Sequence, residues 1–292
     1  MVAPAPSLVV RAGTRAFGRN RAAGIAAGVL LLIAVLVAFA PVIAPYNPTA
    51  ITSDTLLGPS WAHWFGTDEF GRDVLSRVLW GGRLTLITAA GGVALAVVVG
   101  VPLGLIAGYV SNWSSGLIMR LMDVLLAFPG LLLALVIVTI LGQGLVSVGV
   151  AIGVSYIPVF ARVVYGSTLA AKARPYVVAA KVIGCRQSRI MGRHILPNVT
   201  SGIVVIATSA IGWAILLAAA LNFLGFGVQL PTAEWGADLS HGKDWLGPAW
   251  WISTFPGLAI TVTIFAANYL GDRVGNTVDS DVASATRGRV LS

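Results

Sequence analysis

The feature that most constrains this chain is a charge-free apolar stretch over residues 124–161. A helix needs about 20 apolar residues to cross the ~30 Å hydrocarbon core of a bilayer. The stretch is therefore too long for one crossing and suits two, with Gly142-Gln143-Gly144 as the break between them. Because lipid offers the backbone no hydrogen-bond partner, we expect both crossings to be helical.

Further apolar runs elsewhere in the chain also suit membrane helices. Hydrophobic residues make up 57% of the 292 positions and charged residues only 10%, whereas about one quarter of a soluble domain is charged. We predict an all-α polytopic membrane protein with six transmembrane helices in one bundle and no separate soluble domain. The predicted spans are residues 22–44, residues 84–110, two spans within 124–161, residues 201–223 and residues 245–271.

The first span has a competing interpretation as a signal peptide. Basic residues precede it, and Ala38-Phe39-Ala40 has the form of a cleavage site. However, the apolar run is longer than a signal-peptide core, and Pro41 directly after it would obstruct cleavage. We favour a retained helix.

Basic residues are concentrated on one side of the predicted bundle. Fifteen of the 19 fall in inner segments, and only Arg72, Arg77, Arg83 and Lys243 fall outside. Short cytoplasmic loops carry the excess of Lys and Arg. We therefore expect a multi-pass protein of the inner cell membrane with both termini cytoplasmic, the arm over residues 1–21 and the tail over 272–292. The net charge of +8 suits anionic lipid headgroups, and no nucleic-acid partner is expected.

Residues 45–83 form a predicted external segment ahead of the core, which covers residues 84–271. Apolar residues at Val74, Leu75, Val78 and Leu79 predict an amphipathic helix from Asp73 to Trp80 that lies along the interface. Two roles remain open for this segment. It is either a scaffold that contacts a delivering binding protein or caps a path, or a lid that packs on its own bundle.

A basic loop over residues 166–198 interrupts the apolar runs, and from Tyr176 it reads YVVAAKVIGCRQSRIMGRHILPN. Pro175 and Gly184 delimit a predicted helix of about nine residues, roughly 14 Å long, which is too short to cross a bilayer. One face of this helix carries Tyr176, Ala180 and Ile183. A second cationic segment follows and is predicted to stop at Leu196-Pro197. We interpret the loop as a docking element on the cytoplasmic face.

Three motifs in order resemble the permeases of ABC importers. The loop is similar to their EAA motif, with Ala179, Ala180, Gly184, Leu196 and Pro197 in register, His194 in place of Ile and Val178 in place of Glu. HWFGTDEFGRDVLSRVLWGGRLTL from His63, and RLMDVLLAFPGLLLALVI from Arg120, resemble the C-type permease subunit of the dipeptide and oligopeptide branch. The likeness covers nearly the whole chain and implies the bundle of a type I importer.

The resemblance and the loop together assign candidate residues to three regions. ATPase coupling is assigned to Pro175, Tyr176, Val178, Ala179, Ala180, Lys181, Ile183, Gly184, Arg189, His194, Leu196 and Pro197. The external scaffold is assigned to Gly66, Thr67, Asp68, Gly71, Arg72, Asp73 and Arg77. The motif of the third span comprises Arg120, Asp123, Phe128 and Pro129. For Asp123 we expect a structural role beside the positive end of that span, with Arg120 one turn away, rather than a proton relay.

The likeness also implies partners for this chain, and it places ATP hydrolysis in those partners. The expected partners are a second homologous permease, two cytoplasmic ATPase subunits or domains, an extracytoplasmic substrate-binding protein and the lipid bilayer. Neither a catalytic constellation nor a phosphate-binding loop is found, so ATP and Mg are expected only in the ATPases. The single Cys185 and three scattered histidines predict no metal site.

The resulting expectation is a transport subunit, not an enzyme, that forms half of the path of an ATP-driven importer of di- or oligopeptides. The alternative within the same architecture is import of nickel chelates or glutathione. A secondary transporter or channel is a distant alternative, because neither an inverted repeat nor a set of ionisable residues within the spans is seen.

Overall fold

The computed structural model describes residues 21–110 and 112–290, and this part of the chain is a helical bundle without named strands. The predicted arm over residues 1–21 therefore lies almost entirely outside the described residues. The α-helices are α1 (Arg21–Ala38), α2 (Ala40–Ile43), α3 (Val74–Tyr109), α4 (Trp113–Ala127), α5 (Gly130–Leu141), α6 (Leu145–Lys172), α7 (Pro175–Val182), α8 (Gln187–Arg189), α9 (Leu196–Phe223), α10 (Trp235–Gly242) and α11 (Trp251–Val290). A π-helix over Ile190–Ile195 and a 3₁₀ turn over Lys243–Trp245 complete the elements.

Five of the helices in the described chain are long and apolar enough to cross a membrane, and the bent pair α4 and α5 supplies a sixth span if counted as one. The pair bends by 96° at Phe128 and Pro129. A proline inside a span is expected to kink its helix, and here one helix ends and a new one begins. Gly142 and Gly144 separate α5 from α6 as predicted, with φ of 87° and 139°. We call the end of the bundle that carries α10 the outer end, and the end that carries α7 the inner end.

Several predicted boundaries are wrong. The first span ends at Ala38, six residues early, because the chain turns at Phe39 and Pro41 then starts the short α2. The last span begins at Trp251 rather than residue 245, and α11 continues through the predicted tail as far as Val290. The fifth span begins at Leu196, and Pro197 lies in its first turn, where its missing N–H costs nothing.

The predicted interfacial helix from Asp73 to Trp80 does not exist as a separate element. It forms the first two turns of α3, so the second span begins at Val74 and not at residue 84. Asp73 caps this helix by accepting hydrogen bonds from the Ser76 N–H at 2.8 Å and the Ser76 hydroxyl at 2.7 Å. Val74 and Val78 of these turns pack in an apolar cluster with Leu56, Phe65 and Trp251.

Helices α3 and α6 form the centre of the bundle and run parallel. Gly92 of α3 faces Ile152, Gly104 faces Val164 and Gly108 faces Thr168, which is a constant offset of 60 positions. A Cβ atom on Gly108 would lie 2.6 Å from the Thr168 Cβ. Small residues at four-residue spacing thus let the two backbones approach closely, as in helix pairs within membranes.

The outer segment, residues 44–73, folds over the outer end of the bundle. Gly66 and Gly71 hold φ of 75° and 71°, which suits glycine. The Trp251 indole donates to the Thr67 carbonyl at 3.0 Å, and Phe65 stacks on Phe255 with ring centroids 3.8 Å apart. These contacts make the segment a packed part of the bundle, as in the lid interpretation.

A buried ionic network fixes this segment to α3 and α10. The Arg77 guanidinium binds the Asp238 carboxylate and donates to the Pro48 and Pro231 carbonyls at 3.0 and 3.1 Å. Asp68 accepts from the Arg72 Nε–H at 2.5 Å. All of these charged side chains are buried. Each therefore needs the interaction with its partner to offset the free energy lost when its charge is removed from water.

Glu234 caps α10 at the same end and is fully buried. Its carboxyl accepts from the Thr85 hydroxyl at 2.5 Å and from the Ala237 N–H at 2.9 Å. Burial nevertheless raises the pKa of Glu234 to about 7, from an ordinary value of 4.5, because the carboxylate is separated from water.

The parallel pair predicts that Gly104→Val destabilises the protein. The added side chain would meet the Ala161 carbonyl and lie 2.9 Å from the Val164 Cβ, and overpacking of this kind costs about 1–3 kcal/mol. The measurement is the thermal unfolding midpoint of the purified protein. The matched control is Gly91→Val in the same helix, since a Cβ there has nothing within 4 Å; equal midpoints for the two variants would contradict the packing described.

The raised pKa of Glu234 predicts a stability loss as pH rises. Between about 4.5 and 7 the unfolded chain releases the Glu234 proton while the folded chain retains it, so stability falls through this window. Glu234→Gln keeps the shape without the charge, and we expect its unfolding midpoint to decline less with pH than that of the unchanged protein. Parallel midpoint curves for the two proteins from pH 4.5 to 8 would contradict a buried protonated carboxyl.

Candidate functional site

The basic loop between α6 and α9, residues 173–195, is anchored to the inner end of the bundle. Val177 and Ala180 of α7 are buried in an apolar cluster with Tyr109, Ile190 and Ile195. Pro175 lies in the first turn of α7, and Gly184 follows the helix with a φ of 78°. The helix and its glycine stop are therefore confirmed, and α7 ends at Val182, one residue earlier than predicted.

The exposed face of α7 differs from the predicted one. Ala180 is only 6% exposed and Tyr176 is half-buried, so neither is available to a partner. Ile183, the third residue of the predicted face, is exposed by 78%, together with Val178 and Val182, which are exposed by 49% and 81%. The helix presents an apolar patch away from its own bundle, at residues where a solvated loop would carry polar side chains. We call Val178, Val182 and Ile183 the docking patch.

Cations lie on the same loop as this patch and at its junction with α6. Lys172 and Lys181 both lie over the Tyr109 ring, at 5.6 and 5.1 Å from its centroid, and the Lys172 ammonium donates to the Tyr109 carbonyl at 2.6 Å. They line a polar cavity of about 510 Å³. Arg189, with Arg186 and Arg193, is exposed. The inner end thus presents both an exposed apolar patch and a set of cations.

The second half of the loop is helical and continuous with the fifth span. Residues Gln187–Arg189 and the π-helix Ile190–Ile195 lead directly into α9. The prediction that Leu196-Pro197 would end this segment is wrong, because Ile190 and Ile195 are buried and hold the π-helix against the bundle. His194 and Leu196 are half-buried, and the His194 carbonyl accepts from the Asn198 amide at 2.6 Å.

The motif of the third span is placed differently from the sequence prediction. Asp123 pairs with Arg162 of α6, and not with Arg120, which is exposed on α4. Asp123 also lies ten residues inside α4 rather than near the start of its span, because α4 already begins at Trp113. Phe128 and Pro129 form the break between α4 and α5. Arg162 was missed as a candidate, although it is a charge within an otherwise apolar span.

The candidate scaffold residues are brought together, but within the bundle. Gly66, Thr67, Asp68, Gly71, Arg72, Asp73 and Arg77 are all buried. Beyond the network of Arg77, the His63 ring nitrogen Nδ1 lies 3.0 Å from the Asp73 carboxylate. These side chains make internal contacts. The exposed surface of the segment is formed by neighbouring residues, which include Trp61 and Trp64.

Two protein families match the chain. Residues 100–284 match the binding-protein-dependent transport system inner membrane component. Residues 11–59 match the N-terminal transmembrane domain of oligopeptide transport permease C. The first match includes the basic loop, α4 and α6, and the second includes α1.

Relatives of similar length are known under two substrate names. A glutathione transport system permease protein GsiD of Pectobacterium atrosepticum is 42% identical, covering 92% of this chain and 90% of its own length. A di/tripeptide transport system permease protein DppC of Pseudomonas aeruginosa is 41% identical over 96% of each chain. A dipeptide transport system permease protein DppC of Alkalihalophilus pseudofirmus is 42% identical, over 87% of this chain and 83% of its own.

A solved structure shares the fold. A chain of the inward-facing MetNI methionine ABC transporter matches with a TM-score of 0.57 and 18% identity, covering 69% of this chain and 96% of its own. At that identity the likeness supports the helical architecture alone. The family matches and the close relatives support more: this chain belongs to the binding-protein-dependent transport system inner membrane component family and is an ABC importer permease of the dipeptide branch.

Proposed function

We propose that this chain imports short peptides, glutathione included, as one of two permease subunits coupled to cytoplasmic ATPases. The observation that carries the coupling is the docking patch, which is apolar, exposed and held on a helix whose other face is buried. The relatives named for dipeptide and glutathione transport are equally similar to this chain, and glutathione is itself a modified tripeptide. Short peptides are therefore the substrate class.

The proposed orientation places the basic loop in the cytoplasm, with both termini on the same side. Lys172, Lys181 and the arginines of the loop all lie at the inner end, and the excess of cations marks the cytoplasmic side of a membrane protein. ATPase subunits are cytoplasmic, so the docking patch would face them. The outer end would face the substrate-binding protein, which delivers the peptide.

The proposed mechanism needs a stiff connection between the loop and the spans. Reversing a conformational equilibrium from 1:99 to 99:1 requires ~5.5 kcal/mol of differential interaction. Val177 and Ala180 anchor α7 in the inner apolar cluster, and the π-helix continues into α9. A displacement of α7 by an ATPase would therefore move α9 and the end of α6 rather than bend a flexible loop. ATP and Mg would be bound by the ATPases only.

The docking patch yields a direct test of coupling. We expect Val182→Asp with Ile183→Asp to abolish recovery of an ATPase subunit when the importer is purified through a tag on this chain. Each residue contributes about 1.5–3 kcal/mol when fully buried by a partner, and both side chains are too exposed to affect the fold. The matched control is Leu246→Asp, an exposed residue at the outer end, which should retain the ATPase. Retention by the double variant would contradict docking through α7.

The substrate class yields a second test. The assembled importer in lipid nanodiscs should hydrolyse ATP several-fold faster with its binding protein loaded by a dipeptide or by glutathione than with the empty binding protein. A nickel chelate should give no stimulation. Stimulation by the chelate alone would overturn the peptide assignment while leaving the permease role intact, and the ratio between dipeptide and glutathione would identify the preferred peptide.

A further inference from the structure

The ion pair between Asp123 and Arg162 is exposed, unlike the charged network at the outer end. The Asp123 side chain on α4 is 54% exposed and the Arg162 side chain on α6 is 53% exposed. Asp123 lies on α4, ten residues after Trp113, and Arg162 lies on α6, ten residues before Lys172. At ~1.5 Å per residue each charge is about 15 Å from the inner end of its helix.

Helix α6 has 28 residues and is about 42 Å long, so it extends beyond a ~30 Å hydrocarbon core by about 6 Å at each end when centred in it. Arg162 then lies about 9 Å inside the core. Charged side chains at this level do not face lipid, because water cannot reach them there; they face a bundle interior or a water-filled cavity. The exposed side of Asp123 and Arg162 must therefore be turned away from the bilayer in the assembled importer. Either a second permease covers it or it borders the path between the two.

The helix break next to the pair favours the path. Phe128 and Pro129 interrupt the bent pair of helices five residues beyond Asp123, and both are exposed. Non-helical backbone at membrane depth occurs where it is buried in protein or lines a water-filled cavity. An exposed break and an exposed ion pair thus lie within a few residues of each other, and an aqueous path beside α4 would accommodate both.

The hydrogen bonding of Arg162 also favours a position at the path. A guanidinium has five N–H donors, and within residues 21–110 and 112–290 its hydrogen bond is to Asp123. A tight protein interface would have to supply acceptors for the remaining N–H donors, whereas water in a path can accept hydrogen bonds from all of them. Because the pair is exposed it is also weak, so an incoming charged group can separate the two partners.

We propose that Asp123 and Arg162 line the translocation path and provide counter-charges for the two termini of a zwitterionic peptide. The Asp123 carboxylate would accept hydrogen bonds from the peptide ammonium, and the Arg162 guanidinium would bind the peptide carboxylate through its fork of donors. With no peptide in the path, the two side chains neutralise each other. This assignment of peptide termini rests on the proposed function; the position of the pair at the path does not.

Accessibility to an aqueous thiol reagent tests the position. In a Cys185→Ser background, single cysteines replace Arg162 or Phe128 in the assembled importer in nanodiscs, and a charged methanethiosulfonate is the probe. Phe128→Cys leaves the ion pair intact, so it remains informative if Arg162→Cys fails to assemble. The control is Leu31→Cys, which is exposed on the peripheral α1. We expect labelling of Phe128→Cys and Arg162→Cys at least tenfold faster than that of Leu31→Cys.

Labelling of Phe128→Cys as slow as that of Leu31→Cys would overturn the position at the path. It would leave ATP-driven uptake of peptides unaffected, so the failure is distinct from failure of the proposed function. Conversely, rapid labelling in an importer that transports no peptide would overturn the proposed function alone.

Asp123→Asn tests the counter-charge. This variant keeps the shape and the contact with Arg162 but loses the negative charge, and loss of one charged hydrogen bond lowers a rate by about tenfold. We expect the rate of peptide uptake to fall by that factor, with ATPase recovery and unfolding midpoint unchanged. Asp244→Asn, an exposed acid at the outer end, is the control. Uptake by Asp123→Asn at the unchanged rate would overturn the counter-charge role.

Discussion

The close approach of α3 and α6 is the contact on which the rest of this structure depends. Within lipid there is little hydrophobic driving force between helices, so association depends on van der Waals packing and on how near two backbones can come. Glycines of α3 meet larger side chains of α6 with a constant register. Because the helices run parallel, the ends of both reach the inner face together, and Tyr109 and Lys172 meet there. The basic loop is built on that junction.

The two ends of the bundle are stabilised by different interactions. At the outer end, Arg77, Asp238 and Glu234 are buried, and hydrogen bonds link all three to other segments, although the Asp238 Oδ2 atom has no hydrogen-bond partner within the described residues. At the inner end, α7 is held by apolar contacts of Val177 and Ala180. Removing one partner of a buried charge pair is strongly destabilising, so the outer end is a rigid closure. The apolar contacts of α7 fix the basic loop to the bundle at the inner end, which is the stiff connection that the proposed coupling needs.

The sequence predicted the number of spans, because apolar length reports directly on bilayer thickness. It also predicted α7, since Pro175 and Gly184 have local conformational preferences that context rarely overrides. It failed where the outcome depends on packing. Pro102 lies inside the continuous helix α3, whereas Pro129 separates two helices. Both are prolines within apolar runs, so the sequence did not distinguish a tolerated proline from a helix break.

The missed contacts share a physical cause. Arg77 and Asp238 are 161 positions apart, and nothing in the residues between them indicates that they meet. For α7, apolar residues occur on both sides of the helix, so periodicity could not tell which side the bundle buries. The exposed side became evident only from the cluster around Val177. Arg162 was placed in a polar loop by the sequence, and in the structure it lies within α6.

Helix α6 connects the two functional regions of this permease. It carries Arg162 ten residues before its end at Lys172, and Lys172 lies three residues before the start of α7. Along a continuous helix, about 15 Å separates Arg162 from the loop. A shift of α7 imposed by an ATPase would therefore reach Arg162 through rigid backbone, whereas Asp123 belongs to the separate and loosely packed α4. Relative movement of these two helices would separate the ion pair, so that the same step that opens the path would release both charges toward the peptide.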